Sequence, residues 1–264
     1  MPVPTAKPPA PYLGGKRNLA RRLCAIIDQV PHQHYVEPFV GMGGVFLRRV
    51  RPARTEVIND LSGDVANLFR VVRRHYEPFV AELRWLFSSR EEFDRQNRID
   101  PSTLTDIERA VRFLYLQRLA FGGKVDGRTF GVDLRTPSRF NLGRLRAELR
   151  ALSRRLEPVK IERLDWSEVI RRYDSVETLF YLDPPYDETT GYGLPFGRER
   201  YVAMAEQLAG IAGQFILSIN ATPFIRETFV RFAIEEVATT WTLSTASTGG
   251  GKRVGELIIR NHPR

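Results

Sequence analysis

Two consecutive prolines directly after a short apolar run constrain the fold of this 264-residue chain more than any other feature. The run from Thr178 to Leu182 has the length and composition of a buried β-strand, and Asp183-Pro184-Pro185-Tyr186 follows it at once. A strand cannot continue through two prolines, because they lack the N–H donor that a sheet needs and fix φ. Asp183 is therefore predicted to lie at the carboxyl end of a sheet strand, where open α/β sheets bind ligands.

Strands and helices alternate on both sides of this motif, and this order predicts an α/β fold with a parallel sheet. The apolar pattern predicts a C-terminal hairpin from the runs 236–243 and 256–259. It predicts the other strands at 35–40, 56–59, 159–164, 178–182 and 215–219, and helices at 17–30, 45–50, 65–72, from Ser167 and at 200–211.

The middle of the chain departs from this alternation. Residues 76–157 are mostly helical and polar in pattern, no convincing strand is found there, and the loop from Phe121 to Arg139 contains four glycines. We therefore expect one catalytic α/β domain, formed by residues 1–75 and 158–264, that is interrupted by a helical insertion over 76–157.

Basic residues are concentrated in the same part of the chain. The net charge is +9, and residues 73–160 hold 19 basic and 12 acidic residues, so this third carries +7 of the excess. Such a concentration favours a polyanionic partner. Of the 40 basic residues 35 are arginines, a bias that a GC-rich genome also produces.

Cysteine, histidine and apolar content exclude several classes of protein. Cys24 is the single cysteine, so neither an internal disulfide nor a cysteine metal site is expected. The four histidines show no ligand spacing, and no metal is predicted. No apolar run is long enough for a transmembrane helix or a signal peptide, which predicts a soluble intracellular protein.

The Asp-Pro-Pro-Tyr turn suits recognition of an amino group conjugated to an aromatic ring. The carboxylate of Asp183 and the backbone carbonyl of Pro184 can each accept one N–H, and Tyr186 can stack on the ring. Accepting both hydrogens draws the nitrogen lone pair out of conjugation and makes it nucleophilic. The alternative is an ordinary strand exit with a packed tyrosine.

A second candidate site begins at the strand and glycine-rich turn from Val36 to Gly44. Glycines here allow a cofactor to approach the backbone closely, and the helix start offers free N–H groups. Asp60 follows Glu37 by 23 positions, close to the offset of about 20 residues at which an acidic residue meets a ribose hydroxyl. Together they indicate an adenosyl cofactor. The alternatives are a tight βα turn and an N-cap at Asp60, a role that Ser62 could also take.

In this combination and order, the chain resembles the Dam-type DNA adenine-N6 methyltransferases, which use S-adenosylmethionine. The resemblance implies an α/β fold with a Rossmann-like methyltransferase sheet. The matching stretches are Tyr12-Leu13-Gly14-Gly15-Lys16, Val36 to Leu47, Asn59-Asp60-Leu61, Asp165-Trp166, Asp183-Pro184-Pro185-Tyr186 and the closing segment Lys252-Arg253-Val254-Gly255-Glu256-Leu257.

The resemblance also implies roles for single residues. Tyr12, where the family usually has tryptophan, and Lys16 would contact the cofactor. Asp60 would bind the ribose, and Asp165 would either face the adenine of the cofactor or cap the helix from Ser167. Asp183 would lie between the cofactor and the target amino group. Beside the methionine part of the cofactor would lie Glu37, Phe39, Gly41 and Gly43.

The insertion occupies the place of the family's DNA-reading region. Long cations can reach phosphates and guanine edges, although a solvated helix face over core phenylalanines would give a similar pattern. The residues expected to bind DNA are Arg118, Lys124, Arg128, Arg135 and Arg139.

The resemblance thus implies an enzyme that methylates the N6 amino group of a flipped-out adenine in double-stranded DNA by direct attack. We expect a monomer in the cytoplasm of a bacterial or phage-infected cell. The alternatives are a methyltransferase acting on RNA adenine, cytosine N4 or a protein amide, and a DNA-binding relative without catalysis.

Overall fold

The computed structural model describes residues 6–16, 18–132, 137–189, 195–240 and 253–261. Within them the chain forms a seven-stranded sheet in the order β3-β2-β1-β4-β5-β7-β6. The strands are β1 His34–Glu37, β2 Thr55–Asn59, β3 Lys160–Glu162, β4 Thr178–Leu182, β5 Gln214–Asn220, β6 Ala233–Thr240 and β7 Arg253–Arg260. Strands β1 to β5 are parallel, and β7 is antiparallel to both of its neighbours. The predicted α/β fold with a Rossmann-like sheet is confirmed.

Helices cover both faces of this sheet. They are α1 Ala20–Gln29, α2 Gly63–Arg74, α3 Tyr76–Leu83, α4 Arg90–Arg98, α5 Asp106–Leu119, α6 Leu142–Leu156, α7 Trp166–Tyr173, α8 Arg198–Ala209 and α9 Pro223–Thr228. None of the described helices is long and apolar enough to span a membrane.

The bounds of the predicted elements agree best with the structure where a strand is buried on both faces. Strand β4 has the predicted bounds, and the predicted C-terminal hairpin is the antiparallel pair β6 and β7. The helix predicted over 45–50 is only a short 3-10 turn, Phe46–Arg48. It ends because Arg49 is extended, with ψ of 129°, and its guanidinium turns into the core to pair with Glu56.

The helices of residues 76–157 pack onto the sheet and share its core. One apolar cluster joins Tyr35, Ile58 and Tyr181 of the sheet to Phe113 of α5 and Leu149 of α6. A second cluster packs α7, α8 and α9 against the opposite face. The described part of 76–157 contains no strand, only an isolated bridge between Ala120 and Phe130. Its role as a separate target-recognition unit stays a prediction.

The strand order places three chain segments at one edge of the sheet. Strands β2 and β3 lie on one side of β1, and β4 and the later strands lie on the other side. The carboxyl ends of β1 and β4 therefore flank the topological switch point of the sheet. Strand β7 runs the opposite way, and Glu256 near its start pairs with Asn220 at the end of β5. Glu37, Asp183 and Glu256 therefore meet at this carboxyl edge.

Candidate active site

A cleft of about 1770 Å³ runs from the carboxyl edge of the sheet to the insertion. This volume exceeds the usual 300–1,000 Å³ of a site for one small molecule, so the cleft has room for a cofactor and a further group. Of the predicted site residues it brings together Tyr12, Lys16, Glu37, Phe39, Gly41, Asp60, Arg118, Arg139, Asp183, Pro184 and Tyr186.

The turn after β4 is fixed by contacts beyond the two prolines. The hydroxyl of Tyr201 donates to the Pro185 carbonyl at 2.5 Å, and the Asp187 N–H donates to the Asn220 side-chain oxygen at 3.0 Å. Within the described residues the Pro184 carbonyl receives no hydrogen bond. The side chain of Asp183 remains 21% exposed at the cleft. The turn thus brings two potential acceptors, the Asp183 carboxylate and the Pro184 carbonyl, to the cleft.

Lys16 is the cation of this site, and three polar side chains surround its ammonium group. Its Nζ lies 2.6 Å from Asp183 Oδ1, 2.9 Å from Glu256 Oε1 and 2.6 Å from the Tyr186 hydroxyl, to which it donates. Lys16 is only 4% exposed. We call Lys16, Asp183, Tyr186 and Glu256 the lysine cluster.

Burial and charge oppose each other in this cluster. Burial lowers the pKa of Lys16, but its electrostatic interactions with Asp183, the Tyr186 oxygen and Glu256 outweigh it and hold that pKa well above its usual value. Burial raises the pKa of Asp183 to about 6, although the Lys16 ammonium counteracts the rise. Lys16 is therefore charged and Asp183 is mostly ionised at neutral pH.

Glu256 is the member of the cluster that the sequence reasoning missed. It is 1% exposed, and its Oε2 accepts a hydrogen bond from the Tyr186 hydroxyl at 2.5 Å. A signal existed, because Glu256 is the only charged residue of the predicted strand 256–259 and belongs to the closing segment that resembles the family. Its position became evident only from the antiparallel pairing of β7 with β5.

Tyr186 lies in the site but is not open to solvent. The residue is 4% exposed, and the Lys16 ammonium is 4.3 Å from the centroid of its ring. Stacking of Tyr186 on a target ring therefore requires that a ring face become uncovered, and this role stays a prediction.

The glycine-rich turn is packed so closely by neighbouring side chains that a Cβ would clash there. Gly41 has φ of +48°, and a Cβ built there would lie 3.1 Å from the Tyr12 ring. Gly43 has φ of +73°, and a Cβ there would lie 2.8 Å from Leu47. Both residues adopt left-handed backbone that glycine tolerates. Tyr12 and Leu47 thus pack directly against this turn.

Two acidic residues of the β1 side bind backbone or tyrosine donors. Asp60 accepts hydrogen bonds from the Gly41 and Ser62 N–H groups, each at 2.9 Å, and burial raises its pKa to about 6 against these bonds. Glu37 accepts from the Tyr35 hydroxyl at 2.9 Å, and burial raises its pKa to about 8. The ring of Phe39 packs edge-on against Phe196.

Asp165 caps α7, which is one of the two roles left open by the sequence. Its Oδ1 accepts from the Ser167 N–H at 3.0 Å and from the Ser167 hydroxyl at 2.7 Å. Its other oxygen pairs with Arg200, which lines the cleft in its place. A contact of Asp165 with the cofactor stays a prediction.

The predicted DNA-binding residues differ in their surroundings. Arg118 is tied to the fold, because it donates to the carbonyls of Arg139 and Pro9 at 2.9 and 2.6 Å. Arg128 is half-buried and donates to the Gln117 side chain at 3.4 Å. Lys124 and Arg139 are exposed. Arg135 lies outside the described residues.

Comparison with known proteins assigns the family. Residues 12–243 match the D12 class N6 adenine-specific DNA methyltransferase model, and the chain belongs to this family. The Type II methyltransferase M1.LlaDCHI of Lactococcus lactis subsp. cremoris is 25% identical over 97% of this chain and 95% of its own. The DNA adenine methylase of Escherichia coli K12 is 26% identical over 86% of each chain. The Type II methyltransferase M.CviBI of Paramecium bursaria Chlorella virus NC1A is 23% identical over 97% of this chain and all of its own.

Family membership confirms the predicted enzyme class, an adenine-specific DNA methyltransferase. Among the described residues, no group of three or more His, Cys, Asp or Glu side chains is arranged to hold a metal ion.

Proposed function

We propose that the enzyme uses S-adenosylmethionine as the methyl donor and methylates a flipped-out adenine held by Asp183 and the Pro184 carbonyl. The observation that carries this proposal is the pair of acceptors at the switch point of the sheet, in a cleft large enough for two ligands.

The residues on the β1 side fit an adenosyl cofactor. The two Asp60 oxygens each retain a lone pair for a ribose hydroxyl after accepting one backbone N–H, from Gly41 and from Ser62. Tyr12, Lys16, Glu37 and Phe39 complete this side of the cleft. When bound, S-adenosylmethionine supplies a methyl group on a positively charged sulfur.

The charge of the lysine cluster suits this chemistry. It contains one ammonium and two carboxyl groups, so its net charge is negative when both carboxyls are ionised. A negative cluster stabilises positive charge nearby, both on a sulfonium and on the target nitrogen while it becomes cationic.

Asp183 and the Pro184 carbonyl orient the target amino group. Each accepts one N–H, so the nitrogen lone pair is released from the ring and directed into the cleft. A carboxylate is a poor base for an aromatic amine, so the proton leaves after the N–C bond has formed and the nitrogen is cationic. Asp183 is then the nearest acceptor for that proton.

A base must leave the duplex to reach Asp183, because its amino group cannot be reached while the base is stacked and paired. The insertion side of the cleft is lined by Phe121 and Arg139, both exposed. Lys124 is exposed on the same loop. These groups are available for phosphate or base contacts, whereas Arg118 is engaged within the fold.

The test is a methyl-transfer assay with labelled S-adenosylmethionine on double-stranded DNA, followed by digestion to nucleosides. We expect N6-methyladenine from the wild-type protein and none above background from Asp183→Asn, which keeps the shape but loses the charge of the acceptor. Asp94→Asn, an exposed change on α4, is the matched control and should retain activity. Label on cytosine N4 or only on RNA would contradict the proposal.

A further inference from the structure

Gln117 is a buried glutamine of the insertion to which the reaction proposed above gives no role. It lies on α5 and is 0% exposed, and its Nε2 donates to the Pro11 carbonyl at 2.9 Å and to the Gly123 carbonyl at 2.7 Å. Its Oε1 accepts from Arg128 at 3.4 Å. A buried amide is costly unless it is hydrogen-bonded, and both donors of Gln117 are used. This side chain therefore ties the N-terminal segment to the insertion.

Gly123 completes this connection on the insertion side. The Leu13 N–H donates to the same Gly123 carbonyl at 3.1 Å. Gly123 has φ of +68°, and a Cβ built there would lie 3.0 Å from the backbone nitrogen of Tyr12. The backbone of Tyr12 is thus held by a hydrogen bond on each side, through Pro11 and Leu13, and packs directly against Gly123. We call Pro11, Tyr12, Leu13, Gln117 and Gly123 the glutamine clamp.

The ring of Tyr12 reaches from the clamp to the glycine-rich turn after β1. Tyr12 lines the cleft, and its ring carbon Cδ1 lies 3.1 Å from a Cβ built on Gly41. The Gly41 N–H donates to Asp60 at 2.9 Å, so the Tyr12 ring adjoins the turn that holds the acid expected to bind the ribose. Because residues 11–13 belong to no strand or helix, the glutamine clamp fixes the backbone from which this ring projects.

We propose that Gln117 is a positioning residue that holds Tyr12 in place for S-adenosylmethionine. This inference rests on the proposed function, because it assumes that the cofactor binds along Tyr12, Gly41 and Asp60. Gln117 does not itself line the cleft, so it acts through Tyr12. A ring that is fixed before the cofactor arrives loses little conformational freedom on binding, and this preorganisation increases affinity. The insertion thus contributes to the cofactor site.

Arg118, the next residue of α5, attaches the N-terminal segment at a second point. Its Nη1 donates to the Pro9 carbonyl at 2.6 Å. This bond does not involve the glutamine clamp, so the segment should stay attached to the insertion when Gln117 is replaced. Loss of the two Gln117 donors should therefore loosen Tyr12 locally and leave the protein folded.

The experiment measures the binding of S-adenosylhomocysteine, the unreactive product of the cofactor, by calorimetry without DNA. Gln117→Met keeps the length of the side chain but removes both donors, and Gln96→Met on α4 is its matched control. Gly123→Ala presses a Cβ into the clamp from the other side. Its control is Gly127→Ala on the same loop, where φ is +58° and a Cβ would meet nothing within 4 Å. Gln117→Met and Gly123→Ala should each weaken binding about tenfold, and both controls should bind like the wild type.

Each of these variants is then combined with Tyr12→Ala. If Gln117 acts through Tyr12, Gln117→Met and Gly123→Ala should weaken binding by less than about twofold once the ring is absent. Wild-type affinity in Gln117→Met, or an equal loss with and without the Tyr12 ring, would overturn the inference, because the latter means a general structural effect.

The binding measurement needs neither DNA nor turnover, so it separates this inference from the proposed function. A wild-type protein that binds S-adenosylhomocysteine but forms no N6-methyladenine would contradict the proposed function, and the non-additive losses would still support the role of Gln117. A wild-type protein that does not bind S-adenosylhomocysteine would overturn both.

Discussion

Two buried charge clusters lie in this fold, and they are built in opposite ways. The lysine cluster places one ammonium between two carboxyl groups at the edge of the cleft. The second cluster, formed by Arg49, Glu56 and Arg155, places one carboxylate between two guanidinium groups in the core. We call it the arginine cluster.

The arginine cluster is saturated at its carboxylate and closed to solvent. Glu56 accepts from Arg49 Nη1 at 2.7 Å and from Arg155 Nη1 and Nη2 at 2.6 and 3.0 Å. All three residues are at most 3% exposed, and the guanidiniums lie over the rings of Tyr35 and Phe46. Arg155 belongs to α6, so this cluster fastens the insertion to β2.

The lysine cluster differs in having an edge open to the cleft, where the side chain of Asp183 is 21% exposed. The comparison shows that burial alone does not identify a functional charge. A cluster closed to solvent holds elements together, whereas a cluster at the edge of a cleft is also accessible to a bound ligand. Substitutions in the arginine cluster should therefore change mainly the stability of the protein, and substitutions in the lysine cluster mainly its activity.

Glu56→Gln should have the largest effect on stability. It leaves two buried guanidiniums without a carboxylate, so the free energy of unfolding should fall by about 3–5 kcal/mol. The same change at Glu256 should cost less than half of this, because Lys16 keeps Asp183 as its partner. Urea denaturation of both variants measures the difference, and equal losses would contradict the distinction between the clusters.

The next largest effect should be the dependence of enzyme activity on pH, through Asp183 of the lysine cluster. Burial raises the pKa of Asp183 to about 6, and only the carboxylate accepts both the ammonium and the target amine. As the pH falls through this value, Asp183 becomes protonated and activity is lost, about tenfold per pH unit at the lower end. The pH profile of kcat/KM should therefore have its acid limb near pH 6. An acid limb near pH 4 would mean that burial does not govern this group.

The smallest effect should come from a cation outside both clusters. Arg139 is exposed at the mouth of the cleft, and its replacement by alanine should leave stability unchanged. If its guanidinium contacts one phosphate, the slope of log binding constant against log salt should decrease by about 0.9. Binding titrations at several salt concentrations measure this slope. Arg154→Ala, on the last turn of α6, is the matched arginine control, and an equal change in both would contradict a specific role of Arg139.

Local signals made much of the fold and part of the site predictable. A buried strand stopped by two prolines placed Asp183, and the glycine-rich turn after β1 placed Gly41 beside Asp60. These features depend on residues that are close in the chain, so periodicity and turn chemistry suffice to find them.

The part of the site that the sequence did not predict depends on contacts between segments that are distant in the chain. Glu256 reaches the site only because β7 is inserted antiparallel between β5 and β6, which no local pattern specifies. Arg118 is indistinguishable in the sequence from an exposed arginine, yet it binds the Pro9 carbonyl, 109 positions away. The arginine cluster likewise joins Glu56 to Arg155 across 99 positions. Charge counts locate basic segments but do not separate structural from available cations.

The most direct test of the central claim is a crystal structure of the enzyme with duplex DNA and a non-reactive cofactor analogue. The account predicts an extrahelical adenine with N6 about 3 Å from both Asp183 and the Pro184 carbonyl. An adenine held elsewhere in the cleft, or a target base that stays stacked in the duplex, would contradict it.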